Sequence, residues 1–300
     1  VSAGIYLKMT LLFAVLTGLL MVIGYAVGLY FGDPVTLVGL FLVLAAVFNF
    51  VSYYFSDTIT LKMSRAKVIQ ESDNPTLFRA IRNVAQKANI PMPKVGIVES
   101  PQPNAFATGR GPNKAVVCAT SSILQTLTPD ELEAVIGHEI GHVVHRDVLM
   151  SAVAATMAGA ISYIGNIALW SMMFGGSGRN RNGGSPVFLL LAIVLVPLGA
   201  SFVRLGISRD DEYNADEYGA KLTRNPGGLI SALEKISAKV QTRPIGPNSS
   251  QAPSPATASL WIVNPFRGNS LVELFSTHPS LPHRVERLRK VAREMNLYVP

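Results

Sequence analysis

Apolar positions along this chain follow two kinds of pattern. In the first they run without interruption. Met9 to Phe31 holds no charged residue, and Pro34 to Phe55 follows after only Gly32-Asp33. Val148 to Phe174 begins directly after Asp147, and Val187 to Val203 is a further run whose uncharged flank reaches back to Asn182. A hydrocarbon core takes about 20 helical residues to cross. The runs therefore predict four transmembrane helices in two hairpins, with Pro197 kinking the fourth. A cleaved signal peptide would account for the first run alone, but that run is too long for an apolar signal core and a second follows at once.

In the second pattern apolar residues recur at helix or strand spacing. Asn74-Pro75 opens a helix with Leu77, Ile81 and Val84 on one side, closed by Ile90-Pro91-Met92-Pro93. Lys94 to Val98, Asn104 to Gly109 and Ala115 to Ala119 predict strands, and Ser122 to Leu127 a short helix. Thr128-Pro129-Asp130-Glu131 supplies an N-cap, a proline at the first helical position and a capping-box acid ahead of Leu132, Val135 and Ile136. Helices follow over 208–224, through Leu229, Leu233, Ile236 and Val240, and from Pro282 to Met295; Thr242 to Ala258 is aperiodic and predicts a loop.

Composition agrees with a membrane setting, since 49% of residues are hydrophobic and only 15% charged. Lys8, Lys62, Arg65, Lys67, Arg146, Arg204 and Arg209 flank the predicted spans on one side, against Asp33, Arg179 and Arg181 on the other. That asymmetry predicts a multi-pass cell-membrane protein whose soluble segments are cytoplasmic. A net charge of +7 complements the anionic surface of that leaflet. No basic stripe with interleaved aromatics is present, so a nucleic-acid partner is not expected. The single cysteine, Cys118, excludes an intrachain disulfide and lies in an apolar run that predicts a buried thiol.

The chemistry concentrates in His138-Glu139-Ile140-Gly141-His142, a His-Glu-x-x-His sequence on the helix that Thr128 opens. Positions four apart lie about 40° apart around a helix, so His138 and His142 share a face and can offer two imidazoles to one zinc ion. Glu139 stands beside them as general base for an activated water. A third ligand must come from elsewhere. The residues three and six after His142 are His145 and Val148 rather than the Gly and His of the metzincin pattern. In the gluzincin arrangement a later helix supplies a Glu ligand and, one turn on, an Asp that orients an imidazole. Glu212 and Asp216 have that spacing, and Asp216 would hold the outer N–H of one His ligand. His145, seven residues after His138, shares the helix face and is expected to pack or orient rather than to ligate.

The zinc-motif helix, the segment Ser208-Arg209 to Ala215-Asp216, and Phe275-Ser276-Thr277-His278-Pro279 occur in this order around a membrane hairpin. Together they resemble the HtpX family of membrane-embedded zinc metalloproteases over nearly the whole chain. The resemblance implies an ATP-independent endopeptidase, with one zinc per chain, that acts on damaged or misfolded membrane proteins. Within the family-like Thr-His-Pro, His278 is a candidate to stabilise the oxyanion. Asp211 departs from the basic residue the family often carries before the ligand Glu. The expected fold class is α+β, a mainly helical membrane protein with four transmembrane helices and a gluzincin-type protease domain. The expected divisions are a hairpin at 1–55, the first protease segment at 56–147, a second hairpin at 148–207 and the second protease segment at 208–300.

Two other functions compete: a processing protease of the CaaX prenyl-protein type, and a non-enzymatic adaptor that binds unfolded chains. An intact Glu139 argues against the adaptor, which needs no base. An enzyme that clears unrelated unfolded proteins must grip what they share, the backbone. The strand Asn104-Ala105-Phe106-Ala107-Thr108 is the candidate edge for adding substrate as an extra strand, with Phe106 packed beneath and Asn104 and Thr108 leaving one side polar.

Overall fold

The structure, a computed structural model, describes residues 2–174, 208–242, 257, 260–263 and 279–299. Helices α1 (Ser2–Phe31) and α2 (Pro34–Met63) form the first hairpin. Asp33 closes the turn by accepting the Thr36 N–H at 3.2 Å. At Gly28 a side chain is impossible without movement, because a Cβ would lie 2.3 Å from Pro34 Cα. Asn49 Nδ2 donates to Thr17 Oγ1 at 3.1 Å, a cross-helix bond of the kind that steadies helix pairs in lipid. Outward, Leu11, Val22, Leu29, Val35, Leu40, Val43 and Phe50 are exposed, as they must be where lipid is the solvent.

The segment after the hairpin builds a four-stranded sheet of order β1-β2-β4-β3, with β1 Lys67–Val68, β2 Lys94–Val98, β3 Ala105–Gly109 and β4 Ala115–Thr120. β2 and β4 are parallel; the two outer pairings are antiparallel. α3 (Pro75–Lys87) lies between β1 and β2 in sequence and buries Leu77, Ile81 and Val84. After a short α4 (Ser121–Thr126), α5 (Pro129–His145) packs against β3, α3, α7 (Arg209–Thr223) and α8 (Pro226–Thr242). α9 (Leu281–Glu294) closes over α7 and α8. One core joins Leu77, Ile81, Val117, Val135, Ile136, Ile140, Leu233, Ile236 and Leu288.

The expectation of four transmembrane helices is corrected to two. Among the described residues only α1 and α2 are long and apolar enough to cross a membrane. The third predicted stretch belongs to α6 (Asp147–Phe174), whose described apolar part, Asp147–Ile161, is shorter than a membrane span. Its apolarity has another use. Leu149, Met150, Val153, Ala154, Met157 and Ala158 are buried against Met9, Leu12, Leu16 and Ala45 of the hairpin, while Val148 joins the core around the sheet and α5. Continuous hydrophobicity marks burial on all sides, by protein as readily as by lipid. The fourth stretch, Val187 to Val203, lies outside the described residues, as does most of the predicted 242–258 loop.

Candidate metal centre

α5 begins as its sequence predicts. Thr128 Oγ1 accepts the Glu131 N–H at 3.3 Å, and Glu131 returns a bond to the Thr128 N–H at 2.9 Å. Glu131 also binds Ser231 and Lys235 of α8, each at 2.6 Å, which docks the helix. Burial opposes ionisation of Glu131, but these partners hold its carboxyl down at about 2.

The other end of α5 carries the chemistry. α5 and α7 touch backbone to backbone: a Cβ on Gly219 would lie 2.5 Å from His138 N, and one on Gly141 would lie 3.2 Å from Ala215 Cα. This closeness lets α7 reach across. Glu212 places its carboxylate 3.8 Å from His138 Nε2 and 3.5 Å from His142 Nε2, and all three residues are buried. One ligand atom from each of His138, His142 and Glu212 lies within 4.8 Å of the others, a cluster able to hold a metal ion.

Each imidazole is gripped from behind. His138 Nδ1 lies 2.9 Å from Asp216 Oδ1, and His142 Nδ1 lies 3.4 Å from Asp147 Oδ2. With the Nδ1 hydrogen committed to a carboxylate, the Nε2 lone pair is free to face a cation. Burial disfavours the His142 imidazolium, yet Asp147 and Glu212 raise its pKa well above the ordinary value. A site that attracts a proton so strongly attracts a metal cation for the same electrostatic reason.

Glu139 points into the same cavity, beside Phe106, Ala107 and Val148. Burial pushes its carboxyl up to about 8, helped by the Glu212 charge and opposed by His142 and by a bond from the Ala107 main chain. Arg284, fully buried on α9, forks onto Asp216 at 2.7 and 2.6 Å and stands 3.6 Å from Glu212 Oε2. Burial raises the Asp216 carboxyl, but Arg284 and His138 more than offset this and hold it below the usual range. Glu212 and Asp216 together outnumber this single guanidinium, an excess of negative charge that a cation fits.

The remaining candidates divide. Asp211 serves its own helix, accepting the Ser208 N–H at 2.9 Å, and pairs with Lys8 of α1 at 3.5 Å. His145 is outside the cluster; its ring meets Tyr218 edge-on at 5.3 Å. β3 is the outermost strand of the sheet by pairing, yet all five of its residues are buried, with α5, α6 and α2 packed against it. Thr120 N–H donates to the Asn104 carbonyl at 2.8 Å. By antiparallel alternation Asn104, Phe106 and Thr108 turn their main-chain groups to β4, whereas Ala105, Ala107 and Gly109 turn theirs away from it. Asn104 and Thr108 are buried, sharing the Phe106 face rather than leaving a solvated side. His278 lies outside the described residues.

Asp147 gave no signal in the sequence. Five residues past His142 on a continuous helix it would sit roughly 140° away. Arg146 breaks the helix in the left-handed region, φ 66°, and swings Asp147 back to His142. The glycines at 137, 141 and 219 carried the one available hint, small residues four apart on a helix that must be approached closely.

Comparison with known proteins places this arrangement. A family model described as peptidase family M48 matches residues 71–292. A protease HtpX homolog of Pyrococcus furiosus is 47% identical over 294 residues, covering 98% of this chain and 98% of its own. One from Syntrophobacter fumaroxidans is 42% identical over 291 residues, covering 96% and 100%. The crystal structure of Ste24p from S. mikatae aligns with 95% of this chain at 19% identity and a TM-score of 0.46; the chain spans 65% of that protein's length.

Proposed function

The chain belongs to peptidase family M48, among its HtpX members, and from that membership we propose a zinc endopeptidase that cleaves misfolded or damaged membrane proteins at the membrane surface. The observation that carries it is the convergence of His138, His142 and Glu212 on one point in a cavity that Glu139 also faces. These three would hold the zinc. When bound, zinc acidifies a water and polarises the scissile carbonyl. Glu139, which lines the same cavity, would take the water's proton and deliver it to the leaving amine. Asp216 and Asp147 keep the two imidazoles in one tautomer, and Arg284 fixes Asp216.

The side of β3 that is not paired with β4, at Ala105 to Gly109, is the candidate edge for substrate, and its residues are buried, so a substrate strand reaches it only where the elements packed against it give way. α1 and α2 anchor the enzyme in the membrane. The excess of Lys and Arg at their outer ends over the Asp33 turn supports a cytoplasmic side for the protease segments, and Lys8 bonded to Asp211 keeps the third ligand's helix against the anchor.

Purified full-length protein should contain zinc and digest casein, and a chelator should stop digestion. Glu139→Gln should leave the zinc content unchanged and lower the rate by about 10²–10⁴-fold, because it removes the base and no ligand. Hydrolysis at the parent rate in that variant would overturn the mechanism.

A further inference from the structure

Helix α2 is longer than a bilayer needs. Its 30 residues measure about 45 Å, whereas a hydrocarbon core is about 30 Å thick. Counted from Pro34 at the hairpin turn, about 20 residues bring the helix to the far boundary of that core, near Tyr54. Asp57, one turn on, is the first charged residue of α2. Phe50, Tyr54 and Phe55 are exposed at this level, and the Tyr54 ring meets Phe50 at 4.6 Å and Tyr53 at 5.0 Å between centroids. Aromatic rings gather where hydrocarbon gives way to headgroups. The bilayer surface therefore crosses α2 at Tyr54, and a group that touches this ring lies among the headgroups.

Arg110, in the turn between β3 and β4, sets its guanidinium 5.7 Å from the centre of that ring. The turn is drawn tight at Gly109, where a Cβ would stand 2.2 Å from the Lys114 carbonyl oxygen. Arg146, at the break between α5 and α6, lies over Gly111, with its Nε 3.9 Å from where a Cβ would stand. Arg146 and Lys114 are exposed. Among the described residues none of the three cations pairs with a carboxylate, and the Arg110 Nε–H is buried with no hydrogen-bond partner. Asp57 is occupied locally, accepting the Thr58 N–H at 2.7 Å. We propose that Arg110, Arg146 and Lys114 form a site for the headgroup phosphate of an anionic phospholipid. An arginine laid on an aromatic ring keeps its in-plane N–H groups, which match two oxygens of one phosphate. Clustered cations beside hydrocarbon call for an anion, and at this depth the bilayer itself supplies one. The site uses the anchor and not the peptidase chemistry, and it fastens the turn that carries Asp147 to the bilayer surface.

The test titrates purified full-length protein, in neutral detergent micelles, with phosphatidylglycerol and with phosphatidylcholine, and counts bound lipid by native mass spectrometry. Phosphatidylglycerol should bind saturably and more tightly than phosphatidylcholine. Excess inorganic phosphate should not displace it, because free phosphate lacks the acyl chains that lie along the exposed apolar side of α2. Arg110→Gln and Arg146→Gln should each weaken phosphatidylglycerol binding by about 5-fold, and together by about 25-fold, with the thermal midpoint of the lipid-free protein unchanged. Arg110→Lys keeps the charge and should lose less than Arg110→Gln. Arg79→Gln removes the same charge from an exposed position on α3 and should change nothing. Equal affinity for the two lipids, or an equal loss in Arg79→Gln, reduces the effect to diffuse charge and overturns the site. Displacement by inorganic phosphate makes it a free-anion site and overturns the lipid assignment. If Arg110→Gln fails to fold, Arg146→Gln and Lys114→Gln decide by the same losses. Cleavage is not a readout here, so a chain that cuts nothing would overturn the peptidase function and leave this test standing.

Discussion

The α1–α2 hairpin and the α5–α7 pair solve one packing problem for opposite purposes. Both bring helices close by removing side chains: Gly24 beside Phe41 and Gly28 beside Pro34 in the hairpin, Gly137 and Gly141 against Gly219 and Ala215 at the metal centre. In the hairpin the close approach is itself the stabilising interaction, because lipid already satisfies the large apolar residues facing outward. At the metal centre the approach is a means. It places Glu212 and Asp216, both nearly inaccessible, within bonding reach of two imidazoles on the neighbouring helix. Van der Waals contact tolerates small displacements, whereas a ligand set fixed to a few tenths of an ångström does not.

The comparison breaks most readily at the glycines. Gly219→Ala drives a methyl into the backbone at His138, which cannot yield. It should destabilise the fold by about 3 kcal/mol or more and remove zinc binding. Gly24→Ala meets Phe41 Cβ at 2.8 Å and the Leu37 carbonyl oxygen at 3.0 Å, contacts that a small outward shift of α2 relieves. It should cost about 1–3 kcal/mol, with zinc binding intact. Thermal midpoints and zinc titrations on the two variants decide this; equal losses would erase the distinction.

A smaller effect sharpens it. Asp147→Asn keeps the shape beside His142 and removes the carboxylate charge. Zinc affinity should fall by about 10–100-fold, with a thermal midpoint close to the parent's in the absence of metal. An unchanged affinity would reduce Asp147 to a packing residue. The smallest effect is expected at Arg146, whose left-handed backbone strains any residue with a Cβ. Arg146→Gly should raise stability by about 0.5–1 kcal/mol without changing zinc affinity, read from the same melts.

Local rules carried much of this protein. The capping box at Thr128 and Glu131, the amphipathic α3 and the three main strands are written in residues within a few positions of one another. The motif His138-Glu139-Ile140-Gly141-His142 and the pair Glu212 and Asp216 were legible for the same reason, since helical spacing alone puts each pair on one face. The length of apolar runs was a poorer guide. Val148 to Ile161 reads as lipid-facing and is instead packed between the hairpin and the protease core.

The sequence by itself determined the helices, the strands, the chemistry of the ligands and the membrane anchor, because each depends on periodicity or composition within a short window. The tertiary structure decided the rest: that Asp147 and Arg284 serve the imidazoles, that Asp211 caps its own helix, that Asn104 binds the main chain of Leu260 and Ile262 from more than 150 positions away, and that the outermost strand, β3, is buried. Those outcomes depend on how separate elements approach, through a left-handed turn at Arg146 and backbone contact at Gly219, and no local pattern encodes a distance between elements.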